Sequence, residues 1–310
     1  MFGFMLLNSC SRTANRFAGF SREPYATVSI PYGYSIYGLS HVDDEYYYLL
    51  IDSDTCELAI SRKNLSLKEV PITSKRNKHS DNSIYEDEKW TIKYVSRGEF
   101  GHAMWFIDKR SRQEYVYNGM RGSIRYINGA YFIVNPTRVY CIEDPHKGVE
   151  CDSSTRYENT KDERLLNWYL RNNGTSMAPV NAPIICHDGE HEQLQGFRDS
   201  YYVSDDALYH SDTTIVGSFV SDNCLYLLEE AKGSLALTRI DTPTLSQTIV
   251  FEYGSLGKVL GGGVNDNRGN LVCLIQDQGG EKCFMLEMSP SGNVVLQIDC
   301  NSVCIPLTYD

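Results

Sequence analysis

Pairs of short β-prone runs, joined by tight polar turns, recur along the whole chain and restrict it to an all-β fold. The clearest example opens with Asp266-Asn-Arg-Gly-Asn270, continues as an apolar run to Asp277, crosses a Gly-Gly turn and returns as Lys282–Met288. A second turn, Ser289-Pro-Ser-Gly-Asn293, leads into a third run. Glycine in each turn supplies the positive φ that a tight reversal needs, and the asparagine after it begins the next strand. The segment is predicted to form three antiparallel strands.

Similar hairpins are predicted at residues 45–62, 103–117, 130–142, 200–209 and 223–240, with a short edge strand at 69–73. With its Asp-x-x-Gly-Asn turns, the segment from Asp266 resembles one blade of a β-propeller. The resemblance implies radial four-stranded blades of about 40 to 50 residues each. We therefore expect a single all-β, propeller-like domain over residues 21–310 with about six blades, in a range of five to seven. Gly261-Gly-Gly263 is expected to be a turn between blades.

One irregular insertion is predicted at about residues 144–197, and it contains the chain's one clear helix. Thr160-Lys-Asp-Glu163 fits a capping box at the start of that helix. Insertions on a repetitive scaffold commonly carry the binding surface. Trp168, Tyr169 and Arg171 are therefore candidate partner-binding residues, and the alternative is that the insertion covers a sheet edge as a lid.

The first ten residues form an apolar run that ends in Leu7-Asn-Ser-Cys10. A leucine three positions before a cysteine, with a small residue directly before it, resembles the lipobox of bacterial lipoproteins. The resemblance implies a lipid on Cys10, contact with the membrane only through that anchor, and a periplasmic location, with residues 1–20 a truncated signal or a disordered segment. Because the run lacks the basic start of a secretory signal, a cytoplasmic form from an internal start and an apolar strand docked on the core are the alternatives.

The ten cysteines include three closely spaced pairs. A hairpin that turns near residue 278 places Cys273 opposite Cys283, close to disulfide distance. Two further candidate pairs follow from short spacing, Cys141 with Cys151 and Cys300 with Cys304. These spacings favour an oxidising compartment, and the alternative is free thiols packed as small apolar side chains.

The chain is acidic, with a formal net charge of −11 and a pI near 5.1. Binding to nucleic acid or to an anionic membrane surface needs clustered lysine and arginine, so the charge argues against both. An acidic surface suits a basic partner, although solubility alone also accounts for it.

The motifs that match catalytic or metal-binding patterns lack the local structure that those patterns require. His187-Asp-Gly-Glu-His191 matches the H-x-x-E-H pattern of inverted zinc proteases, which needs a helix, but Asp188-Gly189 is a strong turn signal. Asp52-Ser-Asp54 and Asn265-Asp-Asn267 lack the glycine and glutamate of an EF-hand and are expected to be hairpin turns. We predict no catalytic residue, no metal site and no cofactor.

The last notable feature of the composition is its high number of tyrosines, 22 in all. Tyr46, Tyr47 and Tyr48 are consecutive, so they cannot all face one side of a strand. Tyrosine is favoured in protein interfaces and against sugars, because an apolar ring carries a polar tip. We expect a non-enzymatic envelope lipoprotein that binds a protein partner, as an immunity-type inhibitor of a basic toxin or secreted effector. The alternative is a propeller protein that binds or cleaves glycans.

Overall fold

Five small β-sheets make up nearly all of the chain that the computed structural model describes: residues 26–72, 83–96, 102–118, 122–136, 138–151, 183–186, 191–193, 213–231, 234–253, 257–277, 282–289 and 292–300. In these ranges no α-helix occurs, and a single 3-10 turn spans Pro145–Lys147. The all-β prediction is confirmed. The chain divides into two compact units, unit 1 (Met1–Ser74 and Thr213–Asp310) and unit 2 (Lys75–Asp212). A single domain over residues 21–310 stays a prediction.

Unit 1 contains three sheets. Sheet I consists of β2 (Ile36–Val42), β3 (Tyr46–Ile51), β4 (Cys56–Ser61) and β5 (Leu67–Pro71). Sheet IV consists of β16 (Thr213–Ser221), β17 (Cys224–Ala231), β18 (Ser234–Asp241) and β19 (Ser246–Tyr253). Sheet V consists of β20 (Lys258–Asn265), β21 (Leu271–Gln276), β22 (Cys283–Ser289) and β23 (Gly292–Cys300), with β1 (Ala26–Ile30) added parallel to β23.

Unit 2 contains two sheets. Sheet II consists of β6 (Ser83–Glu86), β7 (Trp90–Ser96), β8 (His102–Asp108) and β9 (Glu114–Asn118), with β13 (Val149–Cys151) added beside β9. Sheet III consists of β10 (Ser123–Ile127), β11 (Ala130–Val134), β12 (Arg138–Ile142), β14 (Pro183–Cys186) and β15 (His191–Gln193).

Sheet V lies between the other two sheets of unit 1, and apolar side chains bury both of its faces. Val272 and Leu274 pack with side chains of sheet I, whereas Leu271, Cys273 and Ile275 pack with side chains of sheet IV. A strand buried on both faces has no need of alternating polar residues. This explains why β21 is a continuous apolar run. In unit 2, one aromatic-rich cluster fills the space between sheets II and III.

The same turn joins the third and fourth strands of sheets I, II and IV. Its fifth residue has positive φ in all three cases, at Leu65, Arg112 and Leu245. The backbone N–H of that residue donates to the carbonyl of the turn's first residue at 2.9, 2.8 and 2.7 Å, respectively. A side-chain oxygen of the fourth residue accepts the N–H of the sixth at 3.1 to 3.3 Å in each turn. The three sheets therefore share one type of connection between their third and fourth strands, which the uneven spacing of the sequence obscures.

Glycines let the first strands of the three sheets of unit 1 approach one another closely. A Cβ on Gly38 of β2 would lie 3.2 Å from the carbonyl oxygen of Leu260 in β20. A Cβ on Gly263 would lie 2.6 Å from a δ-carbon of Leu271 and 2.9 Å from the carbonyl oxygen of Val216 in β16. The prediction that Gly261–Gly263 forms a turn is wrong. These glycines form a bulge inside β20, because two of them have the positive φ that the bulge requires.

Most of the predicted hairpins are confirmed, and three of the missed strands share a cause. The predicted pairs at 45–62, 103–117, 130–142 and 223–240 coincide with strand pairs to within a residue or two. Three of the missed strands, β2, β16 and β20, carry glycines and register shifts that interrupt the period of two. The predicted helix and the hairpin at 200–209 lie outside the described residues.

The Cys273–Cys283 disulfide prediction is wrong. Cys283 lies opposite Gln276, and Cys273 lies opposite Leu286. The centre of the hairpin therefore lies 1.5 residues later than expected, and Cys273 is paired three positions beyond Cys283. Because side chains alternate between faces, this odd displacement puts the two thiols on opposite faces of sheet V. Both cysteines are buried and neither forms a disulfide, and burial raises the pKa of the Cys273 thiol to about 12.

The Cys141–Cys151 disulfide prediction is wrong as well. Cys141 lies on β12 in sheet III and has a free, buried thiol, whereas Cys151 belongs to β13 in sheet II. Burial, with a smaller contribution from Glu143, raises the pKa of the Cys141 thiol to about 12. Cys300 ends β23, and Cys304 lies outside the described residues, so that pair stays a prediction.

Candidate functional site

Three aspartates cap the turn between the first and second strands of their sheets. One oxygen of Asp43, Asp87 and Asp266 accepts two backbone N–H groups each, at 2.7 to 2.9 Å. This is the Asx-turn geometry that lets aspartate replace backbone hydrogen bonds. The Asp-x-x-Gly-Asn pattern predicted the last of these turns, but the other two were missed. Their signal is an aspartate three residues before the aromatic residue that opens the next strand.

A buried ionic cluster in unit 1 joins sheets I and V around Arg62, whose side chain is only 15% exposed. Its guanidinium donates to Asp266 Oδ2 at 3.0 Å, to Glu287 Oε1 at 2.6 Å and to the carbonyl of Asp43 at 2.8 Å. The Tyr47 hydroxyl donates to the other Glu287 oxygen at 2.5 Å, and the guanidinium lies 5.2 Å from the Tyr47 ring centroid. Both carboxylates are thus engaged with neighbouring side chains.

The electrostatics of this cluster favour its charged form. Burial acts to raise the pKa of Asp266, but the hydrogen bond from Arg62 and those from Asn270 and Arg268 outweigh burial, so the pKa lies below its ordinary value. Burial likewise acts to lower the pKa of Arg62, and the two carboxylates reverse the effect. Removing one partner of such a buried pair is destabilising, because it leaves the other charge uncompensated. We assign the cluster to stability.

Three tyrosines in unit 2 pack against one another from the core to the surface. We name Tyr85, Tyr126 and Tyr131 the tyrosine patch. The buried Tyr131 hydroxyl donates to Asp87 Oδ2 at 2.6 Å, which anchors the patch to the β6–β7 turn. The Tyr126 ring lies 4.7 Å from the Tyr131 ring and is 47% exposed. The Tyr85 ring meets Tyr131 edge-on at 6.0 Å. A half-exposed ring thereby packs on a buried one.

The surroundings of the tyrosine patch combine apolar surface with fixed charge. Burial and the bonded Asp87 raise the pKa of Tyr131, so its hydroxyl stays protonated as a donor. Lys109 donates to the carbonyl of Asp87 at 2.5 Å and pairs with Glu86. Ile84 on β6 is also exposed. Exposed apolar groups beside polar ones are typical of a recognition surface.

A second aromatic group in unit 2 surrounds His146. Its ring meets Trp90 and Tyr115 edge-on at 5.0 Å each. One ring nitrogen lies 2.8 Å from Asp144 Oδ1, and the other lies 3.8 Å from Asp108. The hydrogen bond with His146 holds the pKa of Asp144 below its ordinary value. Because Asp144 also caps the 3-10 turn, this histidine fixes that turn on sheet II.

The residues singled out from the sequence are only partly placed. Cys10, Trp168, Tyr169, Arg171 and His187 lie outside the described residues, so lipidation and partner binding there stay predictions. His191 lies in β15, which pairs antiparallel with β14, so the H-x-x-E-H segment ends in a hairpin strand. The Asp52 and Asp266 segments lie at hairpin turns, as expected.

In the described part of the chain, no group of three or more His, Cys, Asp or Glu side chains is arranged to hold a metal ion. Within the same residues, no helix is long and apolar enough to cross a membrane.

Three solved structures that match this chain do so at low identity. No protein-family model and no curated protein sequence matches it. A quinonprotein alcohol dehydrogenase-like protein from Bacteroides thetaiotaomicron is 11% identical, with 87% of this chain and 67% of that one covered and a TM-score of 0.30. A functionally unknown protein from Desulfotomaculum acetoxidans is 11% identical, with 89% and 91% covered and a TM-score of 0.29. An uncharacterized protein from Listeria monocytogenes is 10% identical, with 91% and 90% covered and a TM-score of 0.24.

Proposed function

We propose that this chain is a non-enzymatic binding protein whose sheets are propeller-like blades and whose tyrosine patch contacts a protein partner. The observation that carries the proposal is the anchored, half-exposed ring of Tyr126. Interface energy concentrates in a few aromatic anchors, and a ring that is already ordered loses little conformational entropy on binding.

Three features support the propeller-like scaffold. The first strands of the three sheets in unit 1, β2, β16 and β20, each carry a register shift and meet through glycines. The turn between the third and fourth strands recurs in three sheets. The strand β1 closes the sheet formed by the last four described strands, which joins distant parts of the chain in one blade. Five described sheets fall within the expected range of five to seven blades, and about six remains our proposal.

The partner that fits best is basic, and its class is a toxin or secreted effector that this protein inhibits. A net charge of −11 attracts a basic protein and accelerates its encounter. The lipobox-like Leu7-Asn-Ser-Cys10 supports an anchor in the cell envelope, where such an inhibitor meets an incoming toxin. We propose lipidation of Cys10 on the same grounds.

The test compares Tyr126→Ala with Tyr32→Ala as bait for native envelope extracts at low salt. Tyr32 is the matched control, because it is 88% exposed and belongs to unit 1. We expect wild type and Tyr32→Ala to recover one stoichiometric basic protein, and Tyr126→Ala to lose at least about tenfold of it, the effect of removing an interface anchor. Recovery unchanged by Tyr126→Ala, or no stoichiometric partner, contradicts the proposal.

Glycan binding is the second candidate. The half-exposed ring of Tyr126 favours it, because an apolar ring with a polar tip also suits a sugar. A glycan array distinguishes the two functions. Specific glycan binding by the wild type that is lost in Tyr126→Ala would identify a sugar, rather than a protein, as the ligand. Turnover of chromogenic glycosides would overturn the non-enzymatic assignment.

A further inference from the structure

The Tyr126 ring of the tyrosine patch presents an aromatic surface to solvent. Tyr126 lies directly opposite Tyr131 across β10 and β11, with the two ring centroids 4.7 Å apart, and it is 47% exposed. In the described part of the chain, no lysine or arginine lies over this ring. In sheet I, by contrast, Lys68 Nζ lies 3.7 Å from the ring centroid of Tyr46. Because the face of a tyrosine ring attracts cations, the exposed part of Tyr126 suits a cation that another molecule supplies.

Hydroxyl and carboxylate oxygens lie together within the tyrosine patch. The Tyr131 hydroxyl donates to Asp87 Oδ2 at 2.6 Å. Burial raises the pKa of Tyr85, and the charge of Asp87 and the hydroxyl of Tyr126 raise that pKa further. Burial also raises the pKa of Tyr131, with additional contributions from Asp87 and from the other two hydroxyls. Because such effects fall off with distance, the three hydroxyls and the carboxylate lie near one another.

The β6–β7 turn brings more negative than positive charge to the tyrosine patch. Glu86, Asp87 and Glu88 follow one another there, and Glu86 and Glu88 are exposed. Two lysines adjoin the turn, Lys89 and Lys109. The Lys109 ammonium is already engaged by Glu86 and by the carbonyl of Asp87. Three carboxylates beside two ammonium groups therefore favour the approach of a further cation.

We propose that the tyrosine patch recognises an arginine side chain of the basic partner, with the guanidinium over the Tyr126 ring and its N–H groups directed at the neighbouring oxygens. This inference rests on the proposed function and names the group that the patch selects. A guanidinium is planar, stacks on aromatic faces and has five N–H donors. It therefore matches both the ring and the acceptor oxygens, whereas an ammonium group supplies the charge without the plane.

Titration of the full chain with a capped peptide of one arginine between two glycines tests the inference. Isotope-labelled tyrosine lets NMR follow the Tyr126 ring, whose signal is the one missing from Tyr126→Phe. We expect a dissociation constant on the order of 10 mM that rises with added salt. A peptide with lysine instead should bind at least about twofold more weakly. A citrulline peptide, which keeps the shape of arginine without its charge, should not shift the signal.

Two variants separate the aromatic face from apolar volume, with binding followed at the Tyr131 ring. Tyr126→Phe keeps the ring and should bind the arginine peptide within about twofold of wild type, whereas Tyr126→Leu should weaken binding at least about threefold. The matched control is Tyr32→Leu, at a tyrosine of unit 1 that is 88% exposed, and it should change nothing. Equal binding of the citrulline or lysine peptide, equal affinities of Tyr126→Phe and Tyr126→Leu, or no shift of the Tyr126 signal overturns the inference.

The inference and the proposed function fail in different ways. If Tyr126→Ala loses the envelope partner but the peptides do not discriminate, the function stands and arginine recognition is wrong. If the arginine peptide binds as expected but no stoichiometric partner is recovered, arginine recognition stands and the proposed function is wrong.

Discussion

Replacing Asp266 by asparagine removes one negative charge from the ionic cluster of unit 1 and almost no volume. The amide oxygen still accepts the two backbone N–H groups that Asp266 caps. The amide nitrogen, however, now faces two donors, Arg62 and the Asn270 side chain, at the position of the former Oδ2. The variant therefore isolates the charge-assisted contacts from the turn itself.

The expected loss in the free energy of unfolding is about 2.5 to 4 kcal/mol. A hydrogen bond to a charged group contributes about 1.5 to 3 kcal/mol, and the lost Asn270 contact adds about 1 kcal/mol. Leaving a buried ion with no partner at all costs about 3 to 5 kcal/mol. The loss in Asp266→Asn should be smaller than that, because Arg62 retains its hydrogen bonds to Glu287 and to the carbonyl of Asp43.

The control is Asp44→Asn, which removes the same charge from a pair with Arg268 whose two side chains are largely exposed. An exposed pair of this kind contributes about 0 to 1 kcal/mol. Equilibrium unfolding in urea, followed by far-UV circular dichroism, measures both variants. All three tryptophans lie in residues 75–212, so tryptophan fluorescence reports unit 2 and does not replace this measurement. If Asp266→Asn costs no more than Asp44→Asn, the structural role assigned to the cluster is wrong.

The same variant predicts a pH dependence with a defined sign. The pKa of Asp266 in the folded protein lies below its ordinary value, so its contribution is fully present above the unfolded pKa of about 3.9 and is lost as pH falls through the folded pKa. The stability difference between wild type and Asp266→Asn should be constant from about pH 5 to 8 and shrink below about pH 4. A difference that grows on acidification would contradict the depressed pKa.

Three further outcomes follow from backbone geometry and from the thiols. Gly263→Ala should destabilise unit 1 by about 1 to 3 kcal/mol through overpacking. Gly262→Ala should cost less, because its added Cβ has only one contact, at 3.8 Å, and its main cost is the strain of a positive φ. Urea unfolding measures both variants. Arg112→Gly should stabilise the protein by about 0.5 to 1 kcal/mol. The change relieves about 1 to 2 kcal/mol of left-handed backbone strain and costs about 0.4 to 1 kcal/mol through the greater entropy of the unfolded chain. An unchanged or lower melting temperature would contradict this prediction. Cys273 and Cys283 should both be alkylated in denaturant without a reductant, as peptide mass spectrometry will show, and a requirement for reductant would restore the predicted bridge.

The sequence determined the strand content and many of the hairpins, because strand period and turn chemistry act over a few residues. The hairpin predicted at residues 130–142 coincides with β11 and β12, which span Ala130–Val134 and Arg138–Ile142. The Asp266 turn was also predicted, since Asp, Gly and Asn occupy the positions that a tight reversal requires.

Only the tertiary structure decided the features that depend on register and on distant contacts. A shift of 1.5 residues in the centre of one hairpin separated Cys273 from Cys283, because the register of a strand pair depends on which face of each strand is buried. Gly261–Gly263 became a bulge rather than a turn because neighbouring first strands approach it closely. The tyrosine patch and the Arg62 cluster unite residues far apart in the chain, and burial, which set their roles, exists only once the sheets have packed.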